Sequence, residues 1–135
     1  MEMIEKIREI FTGDRFATEM GAYIEEIGDH YAKCSLVLND SHKNAAGGIM
    51  GGVYFTLADF AFAVAANWQK MGTVSVNSDI SFIGVPKSDK VIAETELVKD
   101  GKTVCCYNVR VAVLTLALSE LANISERRIY KLISG

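Results

Sequence analysis

After the pair Gly51-Gly52 the chain runs Val53-Tyr54-Phe55-Thr56-Leu57-Ala58-Asp59-Phe60-Ala61-Phe62-Ala63-Val64-Ala65-Ala66, without proline and without a further glycine until Gly72. Only Tyr54, Thr56 and Asp59 bring polar atoms before Asn67. A helix apolar almost all round is a buried helix, so the rest of the chain must wrap it. Asp59 lies about two turns inside, too deep to cap the helix start. A carboxylate buried there costs several kcal/mol unless it is paired or protonated. Two explanations stand side by side. Asp59 is a functional group, or it is a buried aspartate bonded to neighbouring backbone.

The chain is 135 residues long, enough for one domain spanning 1–135 with a real core. Half of it is hydrophobic, and the net charge of −3 leaves no basic footprint for nucleic acid. The apolar run falls short of the ~20 residues a membrane span needs and carries a charge. Met1 to Ile10 mixes both charge signs and lacks the apolar core of a signal peptide. Cys34, Cys105 and Cys106 are odd in number, and adjacent Cys105 and Cys106 point to opposite faces of a strand. They have no metal-ligand spacing, and two histidines exclude a His-rich site. The expectation is reduced thiols in a cytoplasmic protein, with no metal, no cofactor, no nucleic-acid partner and no membrane contact.

Met3, Ile4, Ile7, Ile10 and Phe11 recur at helical spacing, and Gly13-Asp14 ends that helix. An irregular stretch leads to Gly21. Ala22 to Leu38 reads as two strands turning at Gly28-Asp29, with Tyr31, Lys33, Ser35 and Val37 alternating against Ala32, Cys34, Leu36 and Leu38. Asn39 to Gly48 is a polar loop. The long helix spans about Gly51 to Gln69, with Gly72 at its C-terminal cap. Thr73–Val85, Lys90–Lys99, Thr103–Leu116 and Glu120–Ile133 read as strands. Pro86 stops the first, Asp100-Gly101 turns the second into the third, and no turn residue marks Leu114 to Glu120. A helix flanked by antiparallel strands implies an α+β fold, a sheet wrapped around that helix.

Asn44-Ala45-Ala46-Gly47-Gly48-Ile49-Met50-Gly51-Gly52, followed by Leu57-Ala58-Asp59, resembles the hot-dog-fold thioesterases, within them the PaaI-like (phenylacetyl-CoA thioesterase-like) branch. That family has an Asn, a short Gly-containing link, a His-Gly-Gly triplet and an acid on the helix. Val74 to Phe82 is similar to its first strand after the helix, and Asp100-Gly101-Lys102-Thr103 to its hairpin. The resemblance covers nearly the whole chain in element order and implies an acyl-CoA thioesterase that needs no cofactor. It gives Asp59 as general base or nucleophile, the Gly51 amide as the donor to the thioester oxygen, and Asn44 as holder of the water or the loop. Gly52, Met50 and Ser75 fall at substrate-binding positions. It also implies a homodimer or homotetramer with the site at the dimer interface, the acid facing the other protomer's helix start. Met50 stands where the family has His and can neither donate a hydrogen bond nor titrate; His42 precedes Asn44 and does not match the motif.

Two other classes fit less well. A hot-dog hydratase pairs a His with an acid, yet neither His30 nor His42 lies on the central helix. A non-catalytic acyl-CoA-binding or regulatory protein agrees with Met50, but gains little from a buried Asp59. No phosphate-cradling loop of the Walker type occurs.

Overall fold

The computed structural model describes residues 2–82, 89–114 and 121–133, with 113–114 and 121–133 followed through the backbone alone. Helices α1 (Met3–Phe11) and α2 (Arg15–Met20) precede strands β1 (Tyr23–Gly28) and β2 (Tyr31–Val37), and a 3-10 turn spans Asp40–His42. Helix α3 (Gly51–Asn67) leads to β3 (Thr73–Ile80), β4 (Lys90–Asp100), β5 (Val104–Leu114) and β6 (Leu121–Ile133). The strands form one sheet in the order β1-β2-β4-β5-β6-β3, every pair antiparallel. The expected architecture, a sheet around one long helix, is the one observed.

Alternation in the strands builds the core. Ala32, Cys34 and Leu36 of β2, Val91 and Ala93 of β4, and Tyr107 and Val109 of β5 are buried beneath α3. The helix answers with Leu57, Ala61, Phe62 and Val64. Phe62 meets Tyr107 edge-on at 5.2 Å between ring centroids. Each such Val, Leu or Phe removed from water contributes about 1.5–3 kcal/mol. Phe11 of α1 packs edge-on against Phe60 at 6.2 Å, which closes the first helix over the assembly.

Four local expectations are corrected. The stretch after Asp14 is not irregular: it forms α2, a helix of six residues burying only Ala17, too short to show a period. Gly21 ends it at φ +119°, where a Cβ would strike Leu36. Helix α3 stops at Asn67, not Gln69, because the Asn67 side chain takes over the chain reversal. Its Oδ1 accepts from the amides of Gly72 (3.1 Å) and Thr73 (2.9 Å), while Nδ2 donates to the carbonyls of Ala63 (2.9 Å) and Thr73 (3.2 Å). Gly72, at φ +121°, is the corner beyond the helix rather than its cap. The β1–β2 turn peaks at His30, with φ +50°.

The Asp100-Gly101 turn stands as expected, the Gly101 amide donating to the Val104 carbonyl at 3.0 Å. Strand β3 ends at Ile80, short of the expected stretch to Val85, with Ser81 and Phe82 already outside it; the stop expected at Pro86 and the turn sought between Leu114 and Glu120 lie outside the described residues. On the outer surface of β4 and β5, Glu94, Glu96, Asn108 and Arg110 alternate with the buried positions, and Val98 (54%) and Val104 (45%) are exposed toward the Asp100-Gly101 turn. Edge strand β3 and the residue two beyond it expose Val74 (57%), Val76 (61%) and Phe82 (54%).

Candidate active site

The loop before α3 is tied down residue by residue. Buried His42 accepts from the Asn39 amide through Nδ1 (3.0 Å) and donates through Nε2 to the Met20 carbonyl (2.9 Å), so both ring nitrogens serve the fold. Its own carbonyl accepts from the Met50 amide at 2.9 Å. Asn44 Oδ1 accepts from the amides of Ala46 and Gly48, both at 3.0 Å. The Asn44 backbone N–H donates to the Gly48 carbonyl at 2.7 Å. The bond from the Ala46 amide, two residues on, is that of an Asx-turn, the ordinary local use of a loop asparagine.

Met50 opens α3 in an extended conformation and supplies no side-chain cap. Helix starts carry amides without intrahelical acceptors, and among the described residues nothing accepts from Gly51 or Gly52. The Phe82 ring lies across Gly51, its Cζ 3.1 Å from where a Cβ would sit, so only glycine fits there without displacing Phe82. Met50 is 57% exposed beside it, and Gly52 is exposed as well. One turn along, the Tyr54 hydroxyl is buried with no partner among the described residues, and burial pushes the phenol up to about 12.

Asp59 is not sealed in the core as the sequence implied. It is half-buried, on a stripe of α3 with Phe55, Thr56, Ala63 and Ala66 that the sheet does not cover. Helix α2 crosses part of that stripe and leaves a cleft of about 310 Å³. Asp14, Phe16 and Ala17 line it from one side, Phe55, Thr56 and Asp59 from the other. Asp14 was read from sequence only as a helix terminator; its carboxyl is held above the usual range by partial burial and by the charge of Asp59. Its neighbourhood to a residue 45 positions away has no local signal in the sequence.

Gly51 and Asp59 are eight residues apart on one helix, about 12 Å along its axis at 1.5 Å per residue. A reacting carbon must lie about 3 Å from both the oxyanion donor and the attacking group. Asp59 is therefore too far to attack directly a carbonyl carbon held at the Gly51 amide of its own protomer. Ser75 sits exposed on edge strand β3, beside a bulge, its Oγ 3.2 Å from that of Ser78. No group of His, Cys, Asp or Glu among the described residues could hold a metal ion. Burial raises the Cys34 thiol far above its ordinary value, which makes it inert.

The family model described as the thioesterase superfamily matches residues 46–116, from the loop before α3 past the end of β5. A protein of Archaeoglobus fulgidus named "Putative esterase" is 30% identical over 112 residues, 82% of this chain and 73% of its own. Among solved structures, the Escherichia coli PaaI protein from the phenylacetic acid degradation operon superposes with a TM-score of 0.84 at 20% identity, over 99% of this chain and 97% of that one. A hypothetical thioesterase protein of Streptococcus pneumoniae, solved with coenzyme A, gives 0.78 at 20% identity, over 92% and 96%. A mutant PaaI of Thermus thermophilus gives 0.78 at 20%, over 90% and 100%. The fold is the hot-dog fold of the PaaI type.

Proposed function

The chain belongs to the thioesterase superfamily, and on that premise we propose that it is an acyl-CoA thioester hydrolase, releasing a free acid and CoA from a site shared between two protomers. The observation that carries this is the make-up of α3: a helix start with unclaimed amides, and a carboxylate opening on a cleft two turns further on. The uncapped amide of Gly51 is suited to hydrogen-bond the thioester oxygen and take up its charge as the tetrahedral intermediate forms. Asp59 acts as the base that deprotonates water, or as the nucleophile that forms an anhydride. The 12 Å gap, about eight helical rises, supports pairing the Gly51 of one copy with the Asp59 of the other.

Asn44 steadies the loop that sets the helix start, and Gly52, Met50 and Ser75 border the substrate. Coenzyme A in the pneumococcal neighbour supports a CoA thioester as the substrate. Exposed Val74 and Val76 on the edge strand β3 support a homodimer, with a tetramer of paired dimers as its extension. Met50 favours a second reading, a protein that binds acyl-CoA without hydrolysing it, because it brings no imidazole to the site. Thiol release from a panel of acyl-CoA thioesters separates the two. Turnover of at least one thioester, absent in the Asp59→Asn variant, is expected; tight binding of all without turnover would favour the second reading.

A further inference from the structure

Buried polar side chains in this fold are matched with partners. The Thr95 Oγ1 accepts from the Ala32 amide at 3.0 Å, the Ser35 hydroxyl donates to the Glu25 carboxylate at 2.7 Å, and Asn67 bonds backbone through both ends of its amide. The Tyr54 hydroxyl is the exception among the described residues: solvent does not reach its oxygen and nothing bonds to it. A buried group in that condition costs stability, and native proteins hold few of them. The ring is no reason for it, since phenylalanine fills nearly the same space. Tyr54 follows Gly51 by three residues, so the two share a face of α3, about 4.5 Å apart along its axis. Phe82 joins them: its ring centroid lies 6.4 Å from that of Tyr54, and its Cζ 3.1 Å from where a Gly51 Cβ would stand. Phe82 is 54% exposed, and exposed side chains change rotamer within nanoseconds. A group held at the Gly51 amide therefore has Tyr54 as its neighbour once Phe82 turns aside.

Resting on the hydrolase reading above, we propose that Tyr54 selects the acyl group: its hydroxyl hydrogen-bonds an oxygen that the acyl chain carries close to the thioester, so the preferred substrates are CoA thioesters of hydroxy or oxo acids. A plain hydrocarbon chain in that place leaves the hydroxyl as unpaired in the complex as it is in the free protein. A hydroxyl or ketone oxygen on the chain accepts the Tyr54 O–H and removes that cost. A site with a buried polar group awaiting its partner rejects the analogue that lacks the partner more sharply than an apolar pocket rejects a chain of the wrong size. Tyr54 exchanges no proton with the reacting atoms. It is a specificity-determining residue, and its effect belongs to substrate binding.

The test compares wild type with Tyr54→Phe on butyryl-CoA, 2-hydroxybutyryl-CoA, 3-hydroxybutyryl-CoA and acetoacetyl-CoA. Wild type is expected to favour at least one oxygenated thioester over butyryl-CoA by about tenfold in kcat/KM, the effect of one hydrogen bond. Tyr54→Phe should lose that preference through KM, while its kcat/KM on butyryl-CoA holds within about twofold. Tm supplies a readout apart from activity. Tyr54→Phe should melt no lower than wild type, because it deletes an unpaired group; a clear fall would show the hydroxyl to be partnered within the fold and overturn the proposal. Hydrolysis of these thioesters without preference, or a preference that survives in Tyr54→Phe, would overturn it too and leave the hydrolase reading standing. Titration calorimetry with the same four thioesters, on Asp59→Asn with and without Tyr54→Phe, separates the two readings. If wild type hydrolyses none of them, a tenfold affinity preference that Tyr54→Phe removes would uphold Tyr54 as the selector and defeat the hydrolase reading alone, whereas equal affinities would overturn the role of Tyr54.

Discussion

At the scale of single residues, the proposed chemistry rests on Asp59, and its half-exposed setting makes it safe to alter. Asp59→Asn is expected to cut kcat by about 10²–10⁴-fold, the usual worth of a positioned acid or base, with circular dichroism and Tm near wild type. Near-native turnover in the folded variant would take Asp59 out of the reaction. Asp14 makes the complementary case. Its carboxyl is raised in the folded state by burial and by Asp59, so the folded protein binds more protons than the unfolded one just above the ordinary carboxylate range. Stability therefore falls as pH rises through that window. Asp14→Asn should raise stability at neutral pH and lose that advantage below about pH 3, where both states are protonated; urea titrations at the two pH values decide it. Met50 fills the place of an imidazole with a flexible side chain that is exposed in one protomer. Met50→His is expected to change KM or acyl preference more than kcat. A large kcat gain with a new ionisation near the histidine value of roughly 6.5 would show that proton handling had been missing.

At the scale of elements, α3 is organised from both ends. Its start is left uncapped by Met50 and closed over by Phe82. Its finish depends on Asn67, whose side chain makes four hydrogen bonds to the backbone of Ala63, Gly72 and Thr73 and so feeds the chain into β3. Asn67→Ala leaves those part-buried backbone groups without their partner and is expected to cost about 1–3 kcal/mol, measured by chemical denaturation; a loss below about 0.5 kcal/mol would mean that water replaces the side chain. The long helix was legible because it is apolar almost all round, and the strands because burial on one face imposes a period. Helix α2 was not, since six residues with one buried position display none. The end of α3 was misplaced by two residues because Gly72 resembles a cap locally, whereas the reversal belongs to Asn67.

At the scale of the whole molecule, β3 pairs on one side only among the described residues and exposes Val74 and Val76. Sedimentation at micromolar concentration is expected to show a dimer or tetramer. Val76→Lys, which sets a charge on that edge, should shift it toward monomer and lower activity in step. An active monomer would contradict the shared site.

The sequence by itself determined the hydrophobic pattern, and with it the buried helix, the antiparallel strands and the motif that marks Gly51 and Asp59, because these depend on neighbours within a few residues. Tertiary structure alone decided what surrounds them. Asp59 opens on a cleft because α2 covers α3 incompletely; His42 is a pin because Met20 lies within reach of its ring; Asp14 faces Asp59 because two helices cross. Such contacts depend on distances between segments far apart in the chain, which no local pattern of residues encodes.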